Sequence, residues 1–169
     1  MRIDGTKVFL TTMELDDCAD FIRWRNSDFI KSKFIYKKDI TLEQQMNWVK
    51  TQVETGKVAQ FIIWDKTDNK KIGCVYLQHL DLENMTCEFG ILIGEQEYLG
   101  GGRGTEANLM ICDYGFSELH MKKIYLRVLS DNIAAQKSYE KAGFYIDDIH
   151  DDECDADVIF MSKIKDERE

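Results

Sequence analysis

Gly100, Gly101, Gly102 and Gly104 place four of the chain's eleven glycines within five residues, in the stretch Tyr98-Leu99-Gly100-Gly101-Gly102-Arg103-Gly104-Thr105-Glu106-Ala107. The apolar run Phe89-Gly90-Ile91-Leu92-Ile93-Gly94 precedes it and reads as a buried strand. An amphipathic helix, from about Thr105 to Leu119, follows. Strand, glycine loop and helix start together suit an anion. Glycine tolerates positive φ and close backbone approach. The N–H groups of a first helical turn lack internal partners, and the helix dipole adds positive charge there. The matching ligand chemistry is a pyrophosphate. Two nucleotide motifs fail on particular residues. A P-loop needs Lys-Ser/Thr directly after its last glycine, where Thr105-Glu106 stands; a dinucleotide fingerprint needs a glycine three residues after Gly102, where Thr105 stands.

Some thirty residues downstream lies Asn132-Ile133-Ala134-Ala135-Gln136-Lys137-Ser138-Tyr139-Glu140-Lys141-Ala142-Gly143-Phe144. The two segments together resemble the GNAT superfamily of acetyl-CoA-dependent N-acetyltransferases. The first is similar to its pyrophosphate loop, Q/R-x-x-G-x-G/A, at Gly102 and Gly104, with Leu99 in the Q/R position. The second is similar to its N-x-x-A-x-x-x-Y-x-K-x-G-F helix at Asn132, Ala134 or Ala135, Tyr139, Lys141, Gly143 and Phe144. The resemblance covers the whole chain in order. The Trp24-Arg25-Asn26 segment looks like members that acetylate nucleotide-linked amino sugars. The Gly-Thr-Glu-Ala helix start looks like the ribosomal-protein N-terminal acetyltransferase branch.

The resemblance implies acetyl-CoA as cosubstrate and no metal. It places cofactor contacts at Phe89, Ile91, Leu99, Gly100, Gly101, Gly102, Arg103, Gly104, Thr105, Asn132, Ser138 and Lys141. It also implies that the strand before the glycine loop splays from the strand after the helix, with the pantetheine arm in the wedge. Tyr139 becomes the acid that protonates the departing thiolate; a tyrosine with an ordinary pKa of about 10 holds its proton at neutral pH. Glu88, entering the wedge one residue before the apolar run, is the candidate base, with His79 or water as alternatives. The acceptor amine falls to Trp24, Arg25, Asn26, Phe34 and His79, in an aromatic and basic region that extends to Trp48 and could stack on a sugar or base and hold a phosphate.

The expected acceptor is the primary amine of a small molecule, an aminosugar nucleotide in the first place, attacked directly in a ternary complex. The alternatives are a protein N-terminus, a polyamine, or a GNAT-fold protein that binds acetyl-CoA without catalysis. A net charge of −9 disfavours nucleic acid and favours a cationic amine. No run of eighteen apolar residues suggests a membrane span, and the first seven residues lack an apolar signal core. Five cysteines without a C-x-x-C pair fit a reducing cytoplasm; Cys18, Cys74, Cys87 and Cys112 lie in periodic segments and read as small core residues. A homodimer is frequent in the family.

The elements expected to position these residues form one domain over 1–169. Lys7–Thr12, Gln60–Trp64, Lys71–Leu80, Thr86–Gly94, Lys123–Ser130, Phe144–Ile149 and Ala156–Ile164 read as seven strands. Leu15–Ser27, the stretch behind the Thr41/Gln44 capping box, Thr105–Leu119 and Ile133–Ala142 read as four helices. The fold class is α+β: a central, mostly antiparallel sheet, with the strands around the glycine-loop helix running parallel. The acidic run Asp147–Asp157 lacks calcium-loop spacing and reads as a solvated loop.

Overall fold

A computed structural model of the chain describes residues 1–147 and 157–167; most of the acidic run lies outside them. Among the described residues, eight strands form one sheet in the order β1-β2-β3-β4-β5-β6-β8-β7. They are β1 (Arg2–Asp4), β2 (Val8–Thr12), β3 (Ala59–Asp65), β4 (Lys70–Asp81), β5 (Thr86–Ile93), β6 (Lys123–Leu129), β7 (Tyr145–Asp147) and β8 (Val158–Ile164). Every pair is antiparallel except β5–β6. The sheet therefore has one strand more than the seven expected. The addition, β1, is a three-residue edge that pairs Ile3 with Leu10, too short to show alternation.

Five described α-helices flank it: α1 (Cys18–Arg25), α2 (Asp28–Lys31), α3 (Leu42–Trp48), α4 (Arg103–Ser117) and α5 (Ile133–Lys141). The extra helix, α2, is a single turn capped by Ser27, whose hydroxyl accepts from the Ile30 N–H at 3.3 Å. In α3 the capping box forms in both directions: Thr41 Oγ1 accepts from Gln44 N at 3.1 Å, and Gln44 Oε1 accepts from Thr41 N at 2.9 Å. This helix passes into a π turn at Val49–Val53. Helix α4 begins at Arg103, two residues ahead of the expected Thr105.

Alternation along the strands divides the core into two layers. Val75, Leu77, Cys87 and Phe89 pack with Ala107, Ile111, Cys112 and Leu126 beneath α4 and α5. Cys74 and Leu92 pack on the opposite face with Phe21 and Trp24 of α1 and Val49 of the π turn after α3. All four described cysteines are buried. On β5 the odd residues therefore face α4 and α5, and the even ones, Glu88 and Gly90 included, face α1–α3.

The parallel pairing of β5 with β6 stops early. It joins Thr86 to Lys123, Cys87 to Ile124 and Glu88 to Tyr125, and goes no further. Both strands continue, to Ile93 and Leu129, diverging as they go. The sheet thus has the wedge that the family resemblance implies, and its apex is Glu88.

Candidate active site

At the wide end of the wedge stands the glycine loop. Gly100, Gly101 and Gly102 hold φ of 76°, 65° and 83°, three successive left-handed residues that a side chain would strain. Gly102 is the N-cap of α4, so the first-turn amides of that helix open beside the loop. Gly104 is helical; a Cβ there would meet only Ile93 Cγ1, at 3.8 Å. The protein itself leaves room at that position, and the space belongs to the cleft that Gly104 lines.

Two anchors hold this loop. Arg103 turns out of the cleft: its Nε donates to Asp65 Oδ1 at 2.6 Å, and its guanidinium lies 5.1 Å from the Tyr98 ring centroid. Tyr98 in turn donates to Asp68 Oδ2 at 2.6 Å. Of the predicted cofactor contacts, Arg103 is thus the one whose side chain braces the loop from behind. The second anchor is Glu106. Its carboxylate accepts from the N–H groups of Thr6 (3.0 Å), Lys7 (2.7 Å) and Val8 (2.8 Å), tying the β1–β2 turn to the first turn of α4. Burial would raise the Glu106 carboxyl; the three N–H donors and the Lys7 charge outweigh it and hold it below its ordinary value.

A cleft of about 1780 Å³ runs from this loop through the wedge to the opposite face of the sheet. On the α4–α5 side it is lined by Phe89, Ile91, Leu99, the four glycines, Thr105, Asn132, Ser138, Tyr139 and Lys141. On the other side it is lined by Tyr76, Gln78, Glu88, Gly90 and the segment from Phe29 to Tyr36. Every predicted cofactor residue except Arg103 lines it. Its charged lining is mostly cationic: Lys7, Lys33, Arg127, Lys137 and Lys141 against Glu88 and Glu106.

Tyr139 is set by the end of its own helix. Asn132 caps the start, its Oδ1 accepting from Ala135 N at 3.3 Å. At the finish, Phe144 N donates to Tyr139 O and Gly143 N to Glu140 O, both at 3.0 Å, with Gly143 at φ 92°. This is a Schellman closure, and it folds Phe144 back onto the helix. The Tyr139 ring packs edge-on to Phe89 (5.8 Å) and against Phe144 (6.2 Å). Burial pushes its hydroxyl up to about 12, and that hydroxyl has no hydrogen-bond partner among the described residues. Ser138 Oγ stands 3.4 Å from Thr105 Oγ1, linking α5 to the start of α4.

Across the wedge Glu88 is buried, with 6% of its surface exposed. Arg127 Nε donates to Oε1 at 2.8 Å, while Oε2 faces His79 Nε2 at 3.4 Å and Gln78 Nε2 at 3.5 Å. A bulge in β4 brings His79 there. His79 and Leu80 together oppose one residue of β5, and His79 takes φ 51°.

An anion cradle, an apolar wedge with diverging strands, a half-buried tyrosine and a carboxylate at the apex meet in one cleft. Residues 7–145 match the model of the family described as "Acetyltransferase (GNAT) domain". This chain belongs to the GNAT family. The acetyl donor of that family is acetyl-CoA. The cradle and the cationic lining suit that cosubstrate. Among the described residues no group of three or more His, Cys, Asp or Glu is placed to hold a metal ion. No described helix is long and apolar enough to cross a membrane.

Several GNAT relatives are recognisable. Spermidine N(1)-acetyltransferase of Escherichia coli K12 is 38% identical over 80 residues, a match spanning 47% of this chain but only 42% of that protein. The Vibrio cholerae spermidine N(1)-acetyltransferase is 34% identical over 140 residues, covering 83% of this chain and 80% of the other. The crystal structure of spermidine N-acetyltransferase from Vibrio cholerae, in complex with CoA and spermine, superposes with a TM-score of 0.83 at 22% identity, over 95% of this chain and 96% of that one. At that identity the likeness speaks for the GNAT fold alone.

The residues predicted for the acceptor divide. Phe34 lines the cleft. Trp24, Arg25 and Asn26 do not. Trp24 is 1% exposed, lies against Gly94 and donates its Nε1–H to Glu95 Oε1 at 3.0 Å. Arg25 is buried under Phe34, 4.5 Å from the ring centroid, and donates to the Tyr36 carbonyl. Asn26 clasps Ile40 through both its N–H and its carbonyl, each at 2.8 Å. Arg25 and Asn26 fix the course of residues 34–40 from behind. His79 is exposed beside Glu88 and lines a neighbouring cavity of about 670 Å³ together with Trp48.

Tyr76 and Asn108 are among the cleft residues that were not anticipated. Tyr76 lies directly across Gly90 in the β4–β5 register, and a Cβ at Gly90 would fall 2.2 Å from the Tyr76 ring. That unexplained glycine in a strand pattern was the available signal. Asn108, 2% exposed, lines the cleft one helical turn beyond Gly104. Its signal was a polar residue on the buried stripe of α4.

Proposed function

We propose that this chain transfers the acetyl group of acetyl-CoA to the primary amine of a small molecule by direct attack in a ternary complex, with an aminosugar nucleotide as the favoured acceptor. What carries the reading is the cleft that passes through the wedge, so that donor and acceptor can approach from opposite faces of the sheet and meet between Tyr139 and Glu88. Acetyl-CoA supplies an activated acyl group at a thioester carbonyl. The amides around Gly100 to Thr105 would hold its pyrophosphate, and Phe89, Ile91 and Tyr139 would flank its arm. Tyr139, kept protonated by burial, donates to the departing sulfur. Glu88 takes the ammonium proton through its Oε2, directly or by way of water, and Arg127 holds the carboxylate in place through Oε1.

The acceptor side supports the class. Phe29, Phe34, Tyr36 and Tyr76 line it with Lys33. Aromatic faces beside an ammonium suit a sugar or base that carries phosphate. A second reading, a polyamine acceptor, is supported by the spermidine acetyltransferases among the relatives and by the net charge of −9.

A panel of aminosugar nucleotides, polyamines and N-terminal peptides, read by thiol release, tests both. The aminosugar nucleotide is expected to have the highest kcat/KM, and a higher value for spermidine would replace it with the second reading. Binding of acetyl-CoA without thiol release from any amine would leave a non-catalytic GNAT protein. Self-association is proposed too, a Vibrio cholerae spermidine acetyltransferase having a dodecameric structure. Light scattering that gives only the 19.7 kDa monomer at tens of micromolar would end it.

A further inference from the structure

We infer that Lys7, on the β1–β2 turn, is a phosphate-binding residue of the cofactor site and supplies from another element the polar contact absent at Leu99. The inference rests on the acetyl-CoA reading of the cleft. Leu99 stands at the rim, 46% exposed and apolar, so the loop's own first position offers a phosphate nothing. Lys7 reaches the same rim from across the fold. Its Nζ donates to the Gly101 carbonyl at 2.7 Å and lies 2.9 Å from where a Cβ on Gly102 would be. A side chain on Gly102 would displace it.

The position is built rather than incidental. Both the Lys7 N–H and its neighbour's at Val8 are held by Glu106 Oε2, and Glu106 is the fourth residue of α4, the helix whose N-terminus forms the cradle. The helix that presents amides to the anion therefore also fixes the backbone of the lysine. One hydrogen on Nζ is engaged by Gly101; an ammonium has three donors, so two remain for phosphate oxygens. As a compact point charge, Lys7 suits a phosphate without demanding bidentate geometry.

Isothermal titration of the purified full chain with CoA, without acceptor, tests this. Lys7→Met is expected to weaken CoA binding about tenfold, the scale of one charge-assisted hydrogen bond, and to flatten the salt dependence of binding. Leu99→Arg in the Lys7→Met background is expected to restore most of the affinity. 3′-Dephospho-CoA distinguishes the phosphates: undiminished sensitivity to Lys7→Met assigns the pyrophosphate, and lost sensitivity assigns the 3′-phosphate. Unchanged CoA affinity in Lys7→Met overturns the inference. So does a loss that Leu99→Arg fails to rescue, since Lys7 would then only brace the loop. If the unaltered chain binds no CoA at all, the acetyl-CoA reading itself fails, and that result is separate from both.

Discussion

Tyr139, the proposed acid, has its ring set by Phe89 and Phe144, and its hydroxyl bonds to no described residue. Tyr139→Phe should therefore keep CoA affinity and thermal stability nearly unchanged while kcat falls by roughly 10²-fold or somewhat more, the scale of general acid catalysis. Wild-type kcat with chemistry rate-limiting would make Tyr139 a packing residue. Because burial raises the hydroxyl to about 12, the acid form persists through the alkaline range, and no decline in kcat below that pH should trace to Tyr139. A pH profile to 10.5 on wild type and Tyr139→Phe checks this: the two curves should keep the same shape at different heights. At this scale the sequence was legible where a motif ties a side chain to a backbone device, as in Asn132–Phe144. It was misleading at Trp24-Arg25-Asn26. Composition suggested ligand contact there, but Cys18, Phe21 and Trp24 recur at helical spacing and turn inward. Tyr76 escaped notice because its meaning depends on the strand opposite.

The glycine loop and its helix act as one element with the β1–β2 turn. Gly104→Val should be tolerated by the fold, since only Ile93 Cγ1 approaches and valine is no worse than glycine in a helix. It should raise KM for acetyl-CoA roughly tenfold or more, about 1.4 kcal/mol per decade, with little change in kcat. A melting temperature that drops in step with KM would instead make Gly104 a structural requirement. Glu106→Gln removes the charge that three N–H groups share, and should cost about 1–3 kcal/mol at neutral pH. The native carboxyl is depressed below its ordinary 4.5, so its contribution is complete above that pH and is lost as the pH falls through the lower folded value. Denaturant melts at pH 7 and pH 3 should therefore show the gap between wild type and Glu106→Gln closing on the acid side; a constant gap would place the effect outside ionisation. Long elements and caps were legible here, the Thr41 box and Gly143 included. Strand β1 and helix α2 were not, because three or four residues carry no period.

Across the whole molecule the charge is uneven. The chain carries −9, yet the cleft gathers Lys7, Lys33, Arg127, Lys137 and Lys141. An acidic body with a cationic channel steers a polyanion inward, and screening should blunt it. Raising salt from about 50 to 500 mM shortens the screening length from over 10 Å to under 5 Å, and CoA should bind several-fold more weakly; salt-independent affinity would mean these cations stay clear of the phosphates. From β2 onward, and with α2 apart, the order of strands and helices was readable from the chain. The early parting of β5 from β6 was not, since neither the apolar run of β5 nor the alternation of β6 marks where their pairing stops, and only the family resemblance implied it. That parting bears on motion as well as chemistry. Beyond the Glu88–Tyr125 pair, the facing edges of two central strands lack each other's hydrogen bonds in the middle of the sheet. The cosubstrate's arm, with its two amides, can serve there as a strand that arrives and leaves with each turnover. Hydrogen–deuterium exchange should accordingly find amides within Phe89–Ile93 and among Leu126, Val128 and Leu129 that exchange faster in the apo chain and slow on addition of CoA. The heart of this sheet would then gain its last rungs only when loaded.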